Sequence, residues 1–242
     1  DIGKLTYEYL LEEEKYDNAL SFVKEKLSDA NNVENITPKD VVLYGFGRIG
    51  RLLARELMNK AGKGTQMRLR AIVTRGEIDK TVLEKRASLL KMDSVHGDFN
   101  GTVAVDEKNK ALIINGTTVH IISANAPEDI DYTKYGINNA LVIDNTGAFR
   151  DDVALSRHLK GTGVSKVLLT APGKEVPNIV YGINQGTLDI ENENIFSAAS
   201  CTTNAISPIL KVVNDKFGVV KGHIETVHAY TNDQNLLDNM HK

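Results

Sequence analysis

A glycine-rich turn at residues 45–50 limits the folds that this chain can adopt. It follows the apolar run of residues 41–44, and residues 48–60 then repeat apolar side chains at helical spacing. A short apolar run before a turn is typical of a buried parallel strand, and the repeat is typical of a helix. In such a strand–turn–helix unit, the first glycine permits a tight turn, the second lets the backbone approach a pyrophosphate, and the third lets helix and strand pack closely. The pattern therefore predicts a dinucleotide-binding turn, formed by Gly45, Phe46, Gly47, Arg48, Ile49 and Gly50.

Strand and helix patterns alternate along the chain after this turn. Such alternation favours an α/β fold with a doubly wound, mostly parallel Rossmann-type sheet. Residues 101–122 are expected to add a hairpin at one edge of that sheet. The predicted strands are residues 41–44, 68–73, 111–114, 118–122, 140–144 and 166–170, and the predicted helices are residues 48–60, 80–92 and 152–159.

Three regions are expected along the chain. Residues 1–37 are predicted to be a helical extension, because apolar side chains recur there at helical spacing and Pro38 precedes the first strand. The extension is either an oligomer contact or packed surface helix, or else a regulatory arm. Residues 38–200 are predicted to form the dinucleotide-binding domain, and residues 201–242 the start of an α+β catalytic domain. The apolar stripe of the extension consists of Leu5, Tyr9, Tyr16, Leu20, Val23 and Leu27.

Composition narrows the classes of partner. The net charge of −3 over 242 residues argues against a nucleic acid or an anionic membrane as the main partner. No apolar run in the sequence approaches the roughly 20 residues that a membrane span needs, so no membrane insertion is expected. The single cysteine excludes an internal disulfide and a multi-cysteine metal site, and no metal is expected. It also fits a reducing compartment, so a cytoplasmic protein is expected.

That cysteine, Cys201, lies where a helix is predicted to begin. The residues after it, including Ile206 and Val213, place apolar side chains at helical spacing. A helix N-terminus stabilises a thiolate, and the small polar neighbours of Cys201 suit contact with an anionic substrate. A lone cysteine is more often a buried apolar residue. Cys201 is therefore a candidate nucleophile that needs a second feature to support it.

His228 provides that second feature. It follows Cys201 by 27 residues and lies in a predicted strand over residues 219–231. One helix and a returning strand could bring the imidazole back beside the thiol. A lone histidine is more often structural, but a histidine paired with a cysteine is a candidate base.

Arg75 follows the end of the second predicted strand, where dinucleotide-binding folds usually carry an acidic residue for the ribose. A carboxylate accepts from the 2′-hydroxyl and repels a 2′-phosphate, whereas a guanidinium attracts the phosphate. Arg75 therefore favours NADP, or dual use of NAD and NADP. The alternative is that Arg75 points to solvent and that Glu77 or Asp79 contacts the ribose.

Several segments, taken together, resemble phosphorylating glyceraldehyde-3-phosphate dehydrogenases over about residues 39–242. The most specific likeness lies in Ala-Ser-Cys-Thr-Thr-Asn at residues 199–204 and in Thr-Val-His-Ala-Tyr-Thr at residues 226–231, which keep the family's order and spacing. The other similar segments are residues 42–51, 91–97, 145–147 and 170–172.

The resemblance implies a reaction and a role for individual residues. Cys201 is expected to attack the aldehyde of glyceraldehyde 3-phosphate, and His228 to take a proton as hydride leaves for NAD or NADP. Inorganic phosphate is then expected to release 1,3-bisphosphoglycerate, a step of glycolysis and gluconeogenesis. A homo-oligomer, the family's tetramer, is expected, and His96 is expected to be structural. The resemblance further assigns Ser200, Thr202 and Thr231 to substrate or phosphate, and Thr146, Gly147 and Thr170 to the dinucleotide.

Departures from the family pattern concentrate around the adenosine subsite. Tyr44 stands in place of an asparagine and Arg75 in place of an acidic residue, residues 123–126 lack an expected arginine, and residues 61–65 lengthen a loop. These changes bear on cofactor preference and leave the reaction type unaffected. The family's substrate domain is also longer than residues 201–242, so we expect the sequence to be part of a longer polypeptide.

Two other functions fit the same residues. Erythrose-4-phosphate dehydrogenase shares the cysteine segment, although Thr231 favours the triose enzyme. A non-catalytic cofactor-binding module is the alternative from a different class.

Overall fold

The computed structural model describes residues 9–10, 12–26, 38–61 and 67–229. The chain divides into two compact units, one built from residues 1–38 and 60–66 and the other from residues 39–59 and 67–242. In the part of the chain that the structure describes, no helix combines the length and the apolar character that crossing a membrane requires.

The smaller unit contains helix α1, Ala19–Lys26, in which Phe22 is fully buried. The rings of Tyr9 and Tyr16 pack against Phe22 at centroid distances of 5.4 and 5.1 Å. Leu20 of the predicted apolar stripe is 62% exposed. Leu5 and Leu27 of that stripe lie outside the described residues. The described core of this unit is therefore an aromatic cluster around Phe22.

The larger unit is built on one eight-stranded sheet, in the order β10-β9-β8-β1-β2-β7-β6-β5. The strands from β10 to β7 are parallel, and β6 and β5 add an antiparallel edge. The strands are β1 Lys39–Tyr44, β2 Met67–Thr74, β3 Met92–Asp93, β4 Gly97–Asp98, β5 Val103–Asp106, β6 Ala111–Ile114, β7 Thr117–Ser123, β8 Ala140–Asp144, β9 Val164–Leu169 and β10 Ile195–Ser197. The remaining helices are α2 Arg48–Lys60, α3 Lys80–Lys91, α4 Asp152–Leu159 and α5 Cys201–Phe217. The predicted α/β fold and its edge hairpin are confirmed.

Alternate side chains of β1 enter two separate cores, because successive residues of a strand point to opposite faces. Val41 and Leu43 pack in a cluster that includes buried residues of α2 and α3. Val42 and Tyr44 pack in a second cluster that includes Leu155 of α4. The sheet is thus covered on both faces, as the fully apolar run predicts.

The winding of the sheet reverses beside β1. This strand pairs in parallel with β2 on one side and with β8 on the other. Chain order then runs outward in both directions, through β2 and β7 and through β8, β9 and β10. Ligands of doubly wound sheets bind outside the carboxyl ends of the strands at this point of reversal. The glycine turn lies at this position, because it follows the last residue of β1.

One predicted element is wrong. Residues 219–229 form no strand, and 221–229 have no regular secondary structure. Residues 230–231, the end of the predicted strand, lie outside the described residues. All of the residues from 218 to 229 are exposed, and no strand of the described ranges pairs with this segment.

Helix α3 is capped by Asp79, one of the two acidic candidates for the ribose. Asp79 Oδ1 accepts a hydrogen bond from Val82 N at 2.7 Å, so the carboxylate is the N-cap of α3. We predict that Asp79→Ala lowers the free energy of unfolding by about 1 kcal/mol, because an N-cap side chain contributes that much. Urea unfolding measures the change, and Glu77→Ala at a neighbouring exposed position is the matched control. Equal stability of the two variants would contradict the capping role.

Candidate functional site

The glycine turn brings the backbones of β1 and α2 into contact. A Cβ atom on Gly50 would lie 2.5 Å from the carbonyl oxygen of Gly45, closer than real Cβ atoms approach backbone. Gly45 itself has φ +97°, a left-handed conformation that favours glycine. Its amide donates to Val73 O at 2.9 Å, which ties the turn to β2. Glycine is therefore required at both positions for packing and for backbone conformation.

Gly47 is different, because a Cβ atom there would have no neighbour within 4 Å. The first backbone hydrogen bond of α2 runs from Arg51 N to Gly47 O at 3.0 Å. The amides of residues 48–50 precede this ladder, and such groups at a helix N-terminus bind phosphate. The open space at Gly47 lies beside them. The turn thus fits the pyrophosphate of a dinucleotide.

A cleft of about 400 Å³ opens beside the turn. It brings together five of the residues that the sequence predicts for cofactor binding, namely Gly45, Phe46, Gly47, Arg75 and Thr146. Arg48, Ile49, Gly50, Gly147 and Thr170 are not among its lining residues. Sequence reasoning missed three polar lining residues, Arg51, Thr74 and Arg86. Arg86 carries a recognisable signal, since it interrupts the apolar face of α3 between Leu83 and Leu90.

The end of this cleft beside the carboxyl end of β2 is basic in the described residues. Arg75 is exposed and lines the cleft just beyond the carboxyl end of β2. Asp79, one of the two acidic alternatives, is engaged as the cap of α3. Ala124, from the segment that lacks the expected arginine, also lines the cleft. Burial raises the pKa of Tyr44, the negative charge of Asp144 raises it further, and Arg75 opposes the shift.

Thr146 is positioned by a buried carboxylate at the end of β8. Asp144 Oδ1 accepts from the amide and the hydroxyl of Thr146 at 2.8 and 2.7 Å, and Asp144 Oδ2 lies 2.8 Å from His158 Nε2. Asp144 and His158 are both buried. The hydroxyl of Thr170 donates to the carbonyl of Asp144 at 3.0 Å, and Gly147 has φ +68°. Asp144 therefore anchors two of the predicted dinucleotide residues.

The side chain of Arg48 is held at Asp93, in the short strand β3. Arg48 Nη2 lies 3.1 Å from Asp93 Oδ1, and His96 Nδ1 lies 2.9 Å from the same oxygen. Burial raises the pKa of Asp93, but hydrogen bonds from Arg48 and His96 outweigh it and hold that pKa well below the usual range. A role for Arg48 at the phosphates therefore involves its backbone. His96 has the structural contact expected of it.

The cysteine turn joins the end of β10 to α5. Ala199, the second residue before Cys201, has φ +59°, a conformation that is unfavourable by about 1–2 kcal/mol for a residue with a Cβ atom. Ser200 is the N-cap of α5, and its Oγ accepts from Thr203 N at 2.9 Å. Asn204 Nδ2 donates to Ala198 O at 2.7 Å and to Ser200 O at 2.9 Å. These contacts place Cys201 at the first position of α5, as predicted, with its thiol exposed.

His228 lies near this turn although the predicted strand is absent. Its Nε2 is 3.5 Å from Thr202 Oγ1, and Thr202 follows Cys201 directly. His228 is exposed, and α5 has no buried residue. The third residue assigned to substrate, Thr231, lies outside the described residues. Across the described ranges, no group of three or more His, Cys, Asp or Glu side chains is placed to hold a metal ion.

The parallel sheet, the glycine turn and the adjoining cleft define an α/β protein with a Rossmann-type dinucleotide-binding domain. Residues 39–152 match the family described as glyceraldehyde 3-phosphate dehydrogenase, NAD binding domain. Residues 200–242 match the family described as glyceraldehyde 3-phosphate dehydrogenase, C-terminal domain. The chain belongs to the glyceraldehyde-3-phosphate dehydrogenase family.

Known relatives agree with this assignment. A glyceraldehyde-3-phosphate dehydrogenase-like protein of Pseudomonas aeruginosa is 53% identical over 100% of this chain and 53% of its own length. Glyceraldehyde-3-phosphate dehydrogenase of Priestia megaterium is 40% identical over 83% of this chain and 56% of its own length. Glyceraldehyde-3-phosphate dehydrogenase 1 of Bacillus subtilis is 38% identical over 84% of this chain and 56% of its own length. The chain spans about half the length of the curated relatives it matches.

Substitution of Gly47 should affect dinucleotide binding, whereas substitution of Gly50 should affect folding. We predict that Gly47→Ala folds normally but weakens binding of NAD and NADP by about tenfold, because the new methyl group occupies space beside the phosphates. Gly50→Ala should instead lower the free energy of unfolding by about 1–3 kcal/mol, the usual effect of overpacking. Calorimetric titration and thermal unfolding of both variants separate the two effects. Unchanged dinucleotide binding by Gly47→Ala would contradict the assignment of the turn.

Proposed function

We propose that the protein is a phosphorylating glyceraldehyde-3-phosphate dehydrogenase. The observation that carries this proposal is the position of Cys201 on the sheet. β10 is parallel to β9 and β8, so the cysteine turn follows the same carboxyl edge as the cleft beside β1. Three strand spacings, about 14 Å, separate β10 from β1. A ligand that fills the cleft and also reaches Cys201 must be elongated, and a dinucleotide meets that requirement.

The residues fit a two-stage reaction. A nicotinamide dinucleotide bound in the cleft supplies the hydride acceptor. The sulfur of Cys201 adds to the aldehyde carbon of glyceraldehyde 3-phosphate and gives a hemithioacetal. His228 accepts the proton of the hemithioacetal hydroxyl group while the same carbon gives its hydride to the nicotinamide. This step leaves a thioester on Cys201. An oxygen of inorganic phosphate then attacks the thioester carbonyl, the bond to sulfur breaks, and 1,3-bisphosphoglycerate leaves.

Substrate contacts are proposed for the residues around the thiol. Ser200, Thr202 and Thr231 are proposed to bind the substrate or the attacking phosphate through their hydroxyl groups. The Ser200 hydroxyl also caps α5, so it is held in a fixed orientation beside Cys201. A fixed hydroxyl binds an oxyanion with little loss of side-chain entropy.

NADP, or both NAD and NADP, is the proposed cofactor. Arg75 supports this preference, because it lines the cleft at the position where an acidic residue would disfavour a 2′-phosphate. The engagement of Asp79 as a helix cap also supports it. A homotetrameric, cytoplasmic enzyme remains the prediction from the family resemblance.

The proposed chemistry is tested with substitutions at the two reacting side chains of the full-length protein. We expect Cys201→Ser to abolish phosphate-dependent reduction of NAD or NADP by glyceraldehyde 3-phosphate, because an alcohol is a poor nucleophile without activation. His228→Asn should lower kcat about 10²–10⁴-fold, the usual contribution of a general base. His223→Asn, an exposed histidine of the same segment, is the control and should keep full activity.

Two results would refute the proposal. One is turnover by Cys201→Ser at the wild-type rate. The other is turnover that is independent of inorganic phosphate. If NAD or NADP is reduced faster with erythrose 4-phosphate than with glyceraldehyde 3-phosphate, the tetrose phosphate is the substrate and the alternative enzyme is the correct one.

A further inference from the structure

Three arginines line the cleft beside the glycine turn, and two of them are buried. Arg51 is 2% exposed and Arg86 is 9% exposed, whereas Arg75 is exposed. Burial lowers the pKa of Arg86, and the positive charge of Arg51 lowers it further. The positive charges of Arg75 and Arg86 on this cleft favour an anion there.

Two buried polar atoms of the cleft lack a partner. Among the described residues, neither Arg86 Nε nor Thr74 Oγ1 has a hydrogen-bond partner. Thr74 is 7% exposed and is the last residue of β2. An unpaired buried hydroxyl is destabilising, and an unpaired N–H of a buried guanidinium is more so. Arg86 Nε can only donate and the Thr74 hydroxyl can also donate, so a single acceptor would satisfy both atoms.

The position of Arg86 on α3 strengthens this argument. Leu83, Ala87 and Leu90 of the same helix are buried in the core, so an apolar residue at 86 would continue that face. The buried Arg55 places two of its nitrogens against backbone carbonyls, although its Nη2 lacks a hydrogen-bond partner among the described residues. Its Nε donates to Leu90 O at 2.9 Å and its Nη1 to Gly97 O at 2.8 Å. No such carbonyl is found for Arg86 Nε in the described part of the chain.

We propose that Thr74, Arg75 and Arg86 form a binding site for a phosphate monoester, the 2′-phosphate on the adenosine ribose of NADP. The inference rests on the proposed dinucleotide function and adds the residues that set its specificity. The location distinguishes this phosphate from the pyrophosphate, which belongs at the turn between β1 and α2. Thr74 and Arg75 lie at the carboxyl end of β2, where such folds read the ribose, and Arg86 lies on the helix that follows.

The decisive experiment compares two pairs of ligands on the full-length protein. Calorimetric titration of the wild type should give tighter binding of NADP than of NAD, and tighter binding of 2′-AMP than of 5′-AMP. Arg86→Met keeps much of the side-chain volume and removes the charge. This variant should bind NADP and 2′-AMP about tenfold or more weakly than the wild type. Its affinity for NAD and 5′-AMP should change by less than about twofold.

Two further variants separate binding from folding. Arg68→Met, at the opposite end of β2 where Arg68 pairs with Asp40, should leave all four affinities unchanged. Arg86→Lys keeps a positive charge and should retain part of the preference for NADP. Thermal unfolding of ligand-free Arg86→Met should occur at or above the wild-type temperature, because the substitution removes a buried charge that pairs with no carboxylate in the described part of the chain.

Several outcomes would overturn the inference. One is equal affinity of the wild type for 2′-AMP and 5′-AMP. Another is an equal loss of affinity for NAD and for NADP in Arg86→Met. A third is that inorganic phosphate competes with NADP as strongly as 2′-AMP does. The last outcome would assign the site to free phosphate. Discrimination of the 2′-phosphate without turnover would leave this site in place and refute the proposed enzyme. Turnover without discrimination of the 2′-phosphate would support the proposed enzyme and refute this site.

Discussion

The contact between Gly50 and the carbonyl of Gly45 is the constraint on which the rest of this structure depends. Only a hydrogen atom fits on Gly50 at that point, because a Cβ atom would lie 2.5 Å from the oxygen. The contact holds the N-terminus of α2 against the carboxyl end of β1. That position opens a cleft toward β2 on one side and brings Thr146 against Gly45 on the other. A wider separation of strand and helix would remove the phosphate-facing amides from the cleft.

The parallel sheet gathers the other groups at the same edge. β1, β2, β8 and β10 all end there, and each is followed by residues with a proposed role. Buried Asp144 orients the threonines after β8 and β9, so the loop positions are fixed by the core rather than by solvent-exposed contacts. The left-handed Ala199 and the cap provided by Ser200 fix Cys201 after β10 in the same way. Rigid placement of this kind is what catalysis by orientation requires.

The sequence predicted the turn, the strands of the sheet and the start of α5, because their signals are local. Glycine spacing, apolar runs and helical periodicity act within a few residues. Arg86 interrupts the apolar face of α3, but it was not predicted as a site residue because only the fold shows that this face adjoins the cleft. The strand prediction was wrong over residues 219–229 because β-propensity needs a neighbouring strand, and these exposed residues have none among those that the structure describes. Phe22, rather than Leu20, is buried because aromatic rings meet there through the tertiary fold.

A crystal structure of the full-length protein with NADP tests the central claim most directly. The account predicts that the pyrophosphate contacts backbone amides of the turn that begins at Gly45, and that the 2′-phosphate lies within hydrogen-bond distance of Arg75 or Arg86. It also predicts that the nicotinamide extends along the sheet edge toward Cys201. A dinucleotide bound away from the turn, or one whose ribose faces solvent with both arginines unengaged, would contradict it.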